Sequence, residues 1–203
     1  MDAGAEIVSL TLQHLWLVFV SIAIAAAIAL PSGIALTRSR HARRWALAAA
    51  SAIQTIPSLA LFGFLIPVPL IGGIGPRTAI IALVLYALLP ILRNTVTGIL
   101  AIDPAIRESA VAMGMTDRQV LLQVEAPLAA RTIVAGLRIA TVTTIGTATI
   151  AAAIGAGGLG VLVFRGISMV DSRQVLAGAV PAAIIALAAD GLLAWVERRL
   201  SPP

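Results

Sequence analysis

Seven charged residues, Asp103, Arg107, Glu108, Asp117, Arg118, Glu125 and Arg131, crowd one interval of a chain that is otherwise almost continuously apolar. Bilayer hydrocarbon cannot solvate such a density of charge, so the interval lies in water between two membrane spans. The chemistry it offers is docking. Asp103 can cap a helix whose first turn tolerates Pro104. Gly114 breaks that helix, and Thr116 or Asp117 can cap a second one that Pro127 is expected to stop. Three further charges fall inside apolar runs. Asp190 stands eight residues before Arg198, roughly 12 Å along a helix rising about 1.5 Å per residue. Arg138 and Arg93 lie at a similar depth from the ends of their own runs. An arginine stem can reach the interface, but an aspartate is too short to do so. Asp190 is therefore expected to pair with Arg138 or, as the second choice, Arg93.

Uncharged polar residues inside the apolar runs are the only other material for a solute path. Thr143, Thr144 and Thr147 recur at helical spacing beside Gly146, and Gln54 and Thr55 precede Pro57. Asn94 and Tyr86 are further candidates. Small hydroxyl residues also mediate helix–helix packing, and both readings stay open for the threonines. Enzyme chemistry is poorly provided for. The chain contains no lysine, which a phosphate-binding P-loop requires. It contains no cysteine, hence no disulfide or thiolate site. His14 and His41 are isolated, with no second ligand at metal spacing. The glycine-rich IGAGGLG run, residues 154–160, lacks the βαβ context of a dinucleotide loop and reads as a tight turn. No metal and no cofactor are expected.

The elements that position these residues follow from composition. The chain has 203 residues, 60% of them hydrophobic and 11% charged, with mean hydropathy +1.03, values of an integral membrane protein forming one domain. Five apolar segments of spanning length fall at about 12–37, 45–68, 78–100, 131–153 and 174–196, each near the ~20 residues a bilayer needs. The net charge of +5 comes entirely from arginine. Arg38, Arg40, Arg43 and Arg44 follow the first span, Arg107, Arg118 and Arg131 sit in or beside the central interval, and Arg198 and Arg199 close the last span. By the positive-inside rule these regions are cytoplasmic and the N-terminus is outside. Such a distribution reflects membrane topology rather than nucleic-acid binding. Trp16, Trp45 and Trp195 are placed near span ends, as interfacial tryptophans are.

Glu108-Ser109-Ala110, followed by Met113, Gly114 and Met115 and then by Pro127, resembles the EAA loop of ABC importer permeases. The resemblance implies that segment 103–127 is a coupling elbow docking in a cleft of the ATPase subunit. A narrower resemblance covers most of the chain. Ile53 to Leu61 (IQTIPSLAL), Leu89 to Thr95 (LPILRNT) and Val124 to Ala129 (VEAPLA) are similar to the osmoprotectant permeases, which import glycine betaine, carnitine or choline. Ser109 stands for the usual alanine, and Ala126 where leucine commonly precedes the proline. Both keep small or apolar character.

The fold this implies is an all-α integral membrane domain of the type I ABC importer permease class, with five transmembrane helices and a cytoplasmic elbow. The expected role is that of a non-enzymatic permease in a bacterial or archaeal cytoplasmic membrane. Its expected partners are two copies of an ATP-binding subunit, a second permease copy or related permease, an extracytoplasmic substrate-binding protein, and membrane lipid. With only eight aromatic residues, three of them tryptophans assigned to interfaces, a cation–π cage for a quaternary ammonium is expected on the binding protein. The alternatives are a permease of the same architecture for another solute, such as methionine, and a membrane adaptor without a path.

Overall fold

The computed structural model describes residues 3–69 and 71–200, and every regular element in them is helical. Helix α1 spans Ala3–Thr37 and α2 Arg40–Thr55, the second capped by the Ser39 hydroxyl accepting from the Ala42 N–H. Helix α3 covers Ser58–Leu65, α4 Pro76–Leu100, α5 Pro104–Ala112 and α6 Asp117–Gln119. A π-helical turn, Val120–Glu125, leads into α7, Ala126–Ile150, and a 3-10 turn follows at Ala151–Ile154. Helices α8, Gly160–Met169, and α9, Ser172–Arg199, complete the chain.

Among the described residues, four helical stretches are long and apolar enough to cross a membrane, and a fifth span arises when α2 and α3 are taken together. Proline accounts for the departures from the expected spans. The interval 45–68 is not one rod, because α2 and α3 meet at 100°. The ring of Pro57 pushes Ile56 out of the helical region, to φ −72° and ψ 128°. Pro127, expected to end a helix, instead sits in the first turn of α7, inside an unbroken rod from Asp117 to Ile154. A proline within a helix removes an N–H and crowds the carbonyl four residues back. Here the π turn absorbs that conflict: the Ala126 N–H bonds to the Leu121 carbonyl, five residues back rather than four. The connection after the fourth span also holds a helix, α8, that apolar periodicity did not separate from its glycine-rich approach. Trp16 lies well inside α1, which starts nine residues before the expected span, so it is not at a helix end.

Helix α4 is the centre of the bundle, packed between α1 and α7, while α9 packs on α7 and α8 on α9. The contacts rest on small side chains. Ala25 and Ala29 of α1, Ala79, Ala82 and Ala87 of α4, and Ala140 and Ala148 of α7 are all fully buried. Small residues let helix backbones approach closely, which is how helices gain contact in lipid. At Gly136 the approach leaves no room for a side chain: a Cβ there would lie 2.5 Å from the Asn94 Cβ and 2.8 Å from the Pro90 carbonyl.

Pro90 ties α2 to α4. Lacking an N–H, it leaves the Tyr86 carbonyl without its helical donor. The Gln54 amide supplies one at 2.8 Å. In return the Tyr86 hydroxyl donates to the Ile56 carbonyl at the α2–α3 break. The carbonyl that Pro90 orphans and the one at the α2–α3 break are thus both satisfied from the neighbouring helix. Gln54→Ala should lower the unfolding free energy by on the order of 1 kcal/mol. In a Pro90→Ala background, where the helix satisfies its own carbonyl, the same change should cost much less. Denaturant titration of the four purified variants reads the difference.

Candidate translocation cleft and docking elbow

Two clefts meet along α7 and share Ile139 and Thr143 in their walls. The first, of about 400 Å³, is lined by Gln54 of α2, Tyr86, Pro90, Arg93 and Asn94 of α4, and Thr147 of α7. Thr143 and Thr147 are one turn apart and so point the same way. Their hydroxyls donate to helix carbonyls, Thr143 to Ile139 at 2.8 Å and Thr147 to Thr143 at 2.9 Å. Thr144 points elsewhere and is buried in the helix contacts. Thr55 donates to the Ala52 carbonyl outside the cleft wall, and Pro57 heads α3. Of the expected path residues, the fold thus gathers Gln54, Asn94, Thr143 and Thr147, and leaves Thr55, Pro57 and Thr144 out. It adds Arg93.

The second cleft, of about 370 Å³, surrounds Arg138, Asp190 and Glu197. The Arg138 Nε lies 2.6 Å from Asp190 Oδ1, and its Nη2 is 3.4 Å from Oδ2. Its Nη1 reaches Glu197 Oε2 at 3.1 Å, and Arg131 lies 3.8 Å from the other Glu197 oxygen. Arg93 does not reach Asp190. It projects into the first cleft instead. Glu197 was the residue missed, and its spacing carried the signal. Asp190 and Glu197 are seven apart on α9, Arg131 and Arg138 seven apart on α7. Seven residues are about two turns, so two antiparallel helices present matching pairs of opposite charge.

The elbow is built from local capping. Asp103 accepts from the Ala105 N–H at 2.9 Å, and Thr116 with Gln119 forms a capping box at the start of α6. Between them Gly114 adopts φ +83°, a left-handed turn that a side chain disfavours. Ala110 is buried against the bundle, while Glu108 is exposed and Met113 is 76% exposed. Met115, half-buried, bonds back to the Ala110 carbonyl, and the Ser109 hydroxyl donates to Ala105. Arg107 braces α5 to the π turn through Glu125, at 3.3 Å. Glu108 thus stands exposed beside the apolar Ile106, Val111 and Met113, with Asp103, Arg107, Asp117 and Arg118 also exposed around it.

No group of three or more metal-ligating side chains exists among the described residues. His14 is buried in the bundle beside Gly158, and His41 accepts a hydrogen bond from Trp45 at 3.0 Å on the surface.

Residues 21–202 match the family described as binding-protein-dependent transport system inner membrane component. The chain belongs to this family. The permease is 46% identical over 191 residues to the choline transport system permease protein of Bacillus subtilis, covering 94% of this chain and 83% of that one. It is equally identical to a carnitine transport permease protein of Listeria monocytogenes, covering 94% and 84%. It is 44% identical to the osmoprotectant import permease protein of Salmonella typhimurium, over 100% of this chain and 95% of that one. Among solved structures, the inward-facing methionine ABC transporter MetNI superposes with a TM-score of 0.88 at 24% identity, with both chains fully covered. An amino acid ABC transporter superposes with a TM-score of 0.78 at 19% identity, covering 97% and 94%. The fold is that of the type I ABC importer permeases.

Two measurements test the site geometry. Thr143→Cys and Thr147→Cys variants of this naturally cysteine-free permease should react with water-soluble thiol reagents, and Thr144→Cys should not. Mass spectrometry of the labelled protein reads this, and equal labelling of all three would refute the assigned faces. For the charge pairs, Asp190→Asn and Arg138→Gln should each lower the melting temperature in detergent. The double variant should lose less than the two losses added together, whereas simple additivity would remove the coupling.

Proposed function

We propose that this permease is the membrane-spanning subunit of an ATP-driven importer for compatible solutes of the glycine betaine, carnitine and choline class. The observation that carries the reading is 44% identity along the entire chain to an osmoprotectant import permease, with similar identity to choline and carnitine permeases. The polar cleft along α4 and α7 is the section of the path this subunit contributes, with Gln54, Asn94, Thr143 and Thr147 in its wall. One subunit leaves the cleft open along its side, and a second copy or a related permease closes it. An extracytoplasmic binding protein delivers the solute, and ATP is hydrolysed on two copies of a separate subunit.

The arginine distribution supports an N-terminus outside and a cytoplasmic elbow. Glu108, Ser109, Ala110, Met113, Gly114 and Met115 then form the surface that enters the ATPase cleft. Closure of the ATPase dimer pushes the two elbows and swings the spans between inward- and outward-open arrangements, a two-state switch.

The test is reconstitution of the permease with its ATPase and binding protein in vesicles. Glycine betaine, carnitine or choline should accumulate with ATP, and Glu108→Arg should abolish solute-stimulated hydrolysis while the subunit still inserts. Accumulation of methionine alone would mark a permease for a different solute, and no accumulation with an intact complex would mark an adaptor. Wild-type coupling in Glu108→Arg would end the docking assignment.

A further inference from the structure

Arg93 stands out among the arginines inside the apolar helices. Arg138 is held by Asp190 and Glu197, and towards the outer face Arg165 is held by Glu6 at 2.8 Å. Arg93 makes no ion pair among the described residues, is exposed, and lies in the wall of the 400 Å³ cleft. An unpaired charge at membrane depth is expensive, and those that persist mark water-filled paths for substrates or ions.

The rest of the cleft wall shows what the charge is set against. Gln54 gives an amide N–H to the Tyr86 carbonyl, and Asn94 gives one to the Pro90 carbonyl at 2.8 Å. The Tyr86 hydroxyl donates to Ile56, and the threonine hydroxyls donate to carbonyls one turn back. Every hydroxyl proton among these neutral groups is in use, and each amide keeps one further N–H beside its oxygen. The wall therefore offers a solute hydroxyl and amide oxygens together with uncharged donors only. Among the described residues no carboxylate lines the cleft, and Tyr86 is the one aromatic residue in its wall.

A quaternary ammonium group has no N–H to give and is accommodated by the partial negative charge of such oxygens. A carboxylate is repelled by them and needs donors. The guanidinium of Arg93, a planar fork of five N–H groups matched to carboxylate geometry, is the one charged donor among the described residues of the wall. We propose that Arg93 is the specificity-determining residue of the permease: it receives the carboxylate of a zwitterionic solute, such as glycine betaine or carnitine, and disfavours choline, a cation without one. This rests on the function proposed above and narrows its substrate class.

The experiment compares glycine betaine and choline uptake in the same vesicles, with the binding protein unaltered, so that a change in their ratio belongs to the permease. Arg93→Gln should lower the betaine-to-choline uptake ratio at least tenfold, and Arg93→Lys, which keeps the charge but not the fork, should lower it less. A second readout does not depend on delivery by the binding protein. In a Thr143→Cys permease, glycine betaine should slow thiol modification where choline at equal concentration does not, and Arg93→Gln should remove that protection. An unchanged ratio, an equal fall for both solutes, or equal protection by choline would overturn the role of Arg93. Loss of the assembled complex on gel filtration of Arg93→Gln would overturn it too, by assigning the arginine to the subunit contact. Failure of the wild type to take up either solute would strike the proposed function itself.

Discussion

In a bilayer, apolar side chains gain nothing by leaving lipid for one another, so the usual force that gathers helices is missing. This permease answers with two devices. Around α4 it uses close approach, with alanines of α1, α4 and α7 fully buried and Gly136 set against Asn94 and Pro90. At the edge it uses charge. Helix α9 carries large exposed side chains such as Leu176, Ile184, Leu187 and Leu192, and its ion pairs to Arg138 and Arg131 hold it to α7 at the end nearer the elbow. There the short Asp190 carboxylate is met directly by the Arg138 guanidinium.

Backbone polar groups face the same solvent and must find partners within the protein. The prolines make that demand visible. Pro57 turns a would-be span through 100°. Pro90 orphans a carbonyl that Gln54 satisfies. Pro127 shifts one turn into π register without interrupting its helix. In the first two cases the repair lies at the cleft, so the residues that line it are also those holding α2 against α4. Cleft lining and helix contact therefore use the same side chains, Gln54 and Tyr86 among them.

What could be read from sequence followed from solvation. Apolar runs marked the helices, and the density of charge from Asp103 onward marked the elbow, whose caps Asp103 and Thr116 are the ones observed. Asp190 and Arg138 could be matched because both had to sit at one depth. Other features were hidden for physical reasons. Whether proline breaks, bends or merely re-registers a helix depends on donors supplied by other helices, and Gln54 is 32 residues from Tyr86 in sequence. Thr143 and Thr144 are adjacent and chemically identical, and only the rotation of α7 against α4 decides which one faces the cleft. Arg93 could be assigned to Asp190 by depth alone, since depth carries no information about direction around the helix axis.

The unbroken rod from Asp117 to Ile154 has a mechanical meaning. A loop between elbow and span would act as a slack tether, losing small displacements in its own flexibility. Here the second segment of the elbow, the charged residues Arg131 and Arg138, and the cleft residues Thr143 and Thr147 all ride on one shaft. From Asp117 to Thr147 is about 45 Å at ~1.5 Å per residue. A tilt applied at the elbow end would therefore reach the cleft as a lever stroke. Between the two ends, Asp190 and Glu197 of α9 hold the shaft from one side through Arg138 and Arg131.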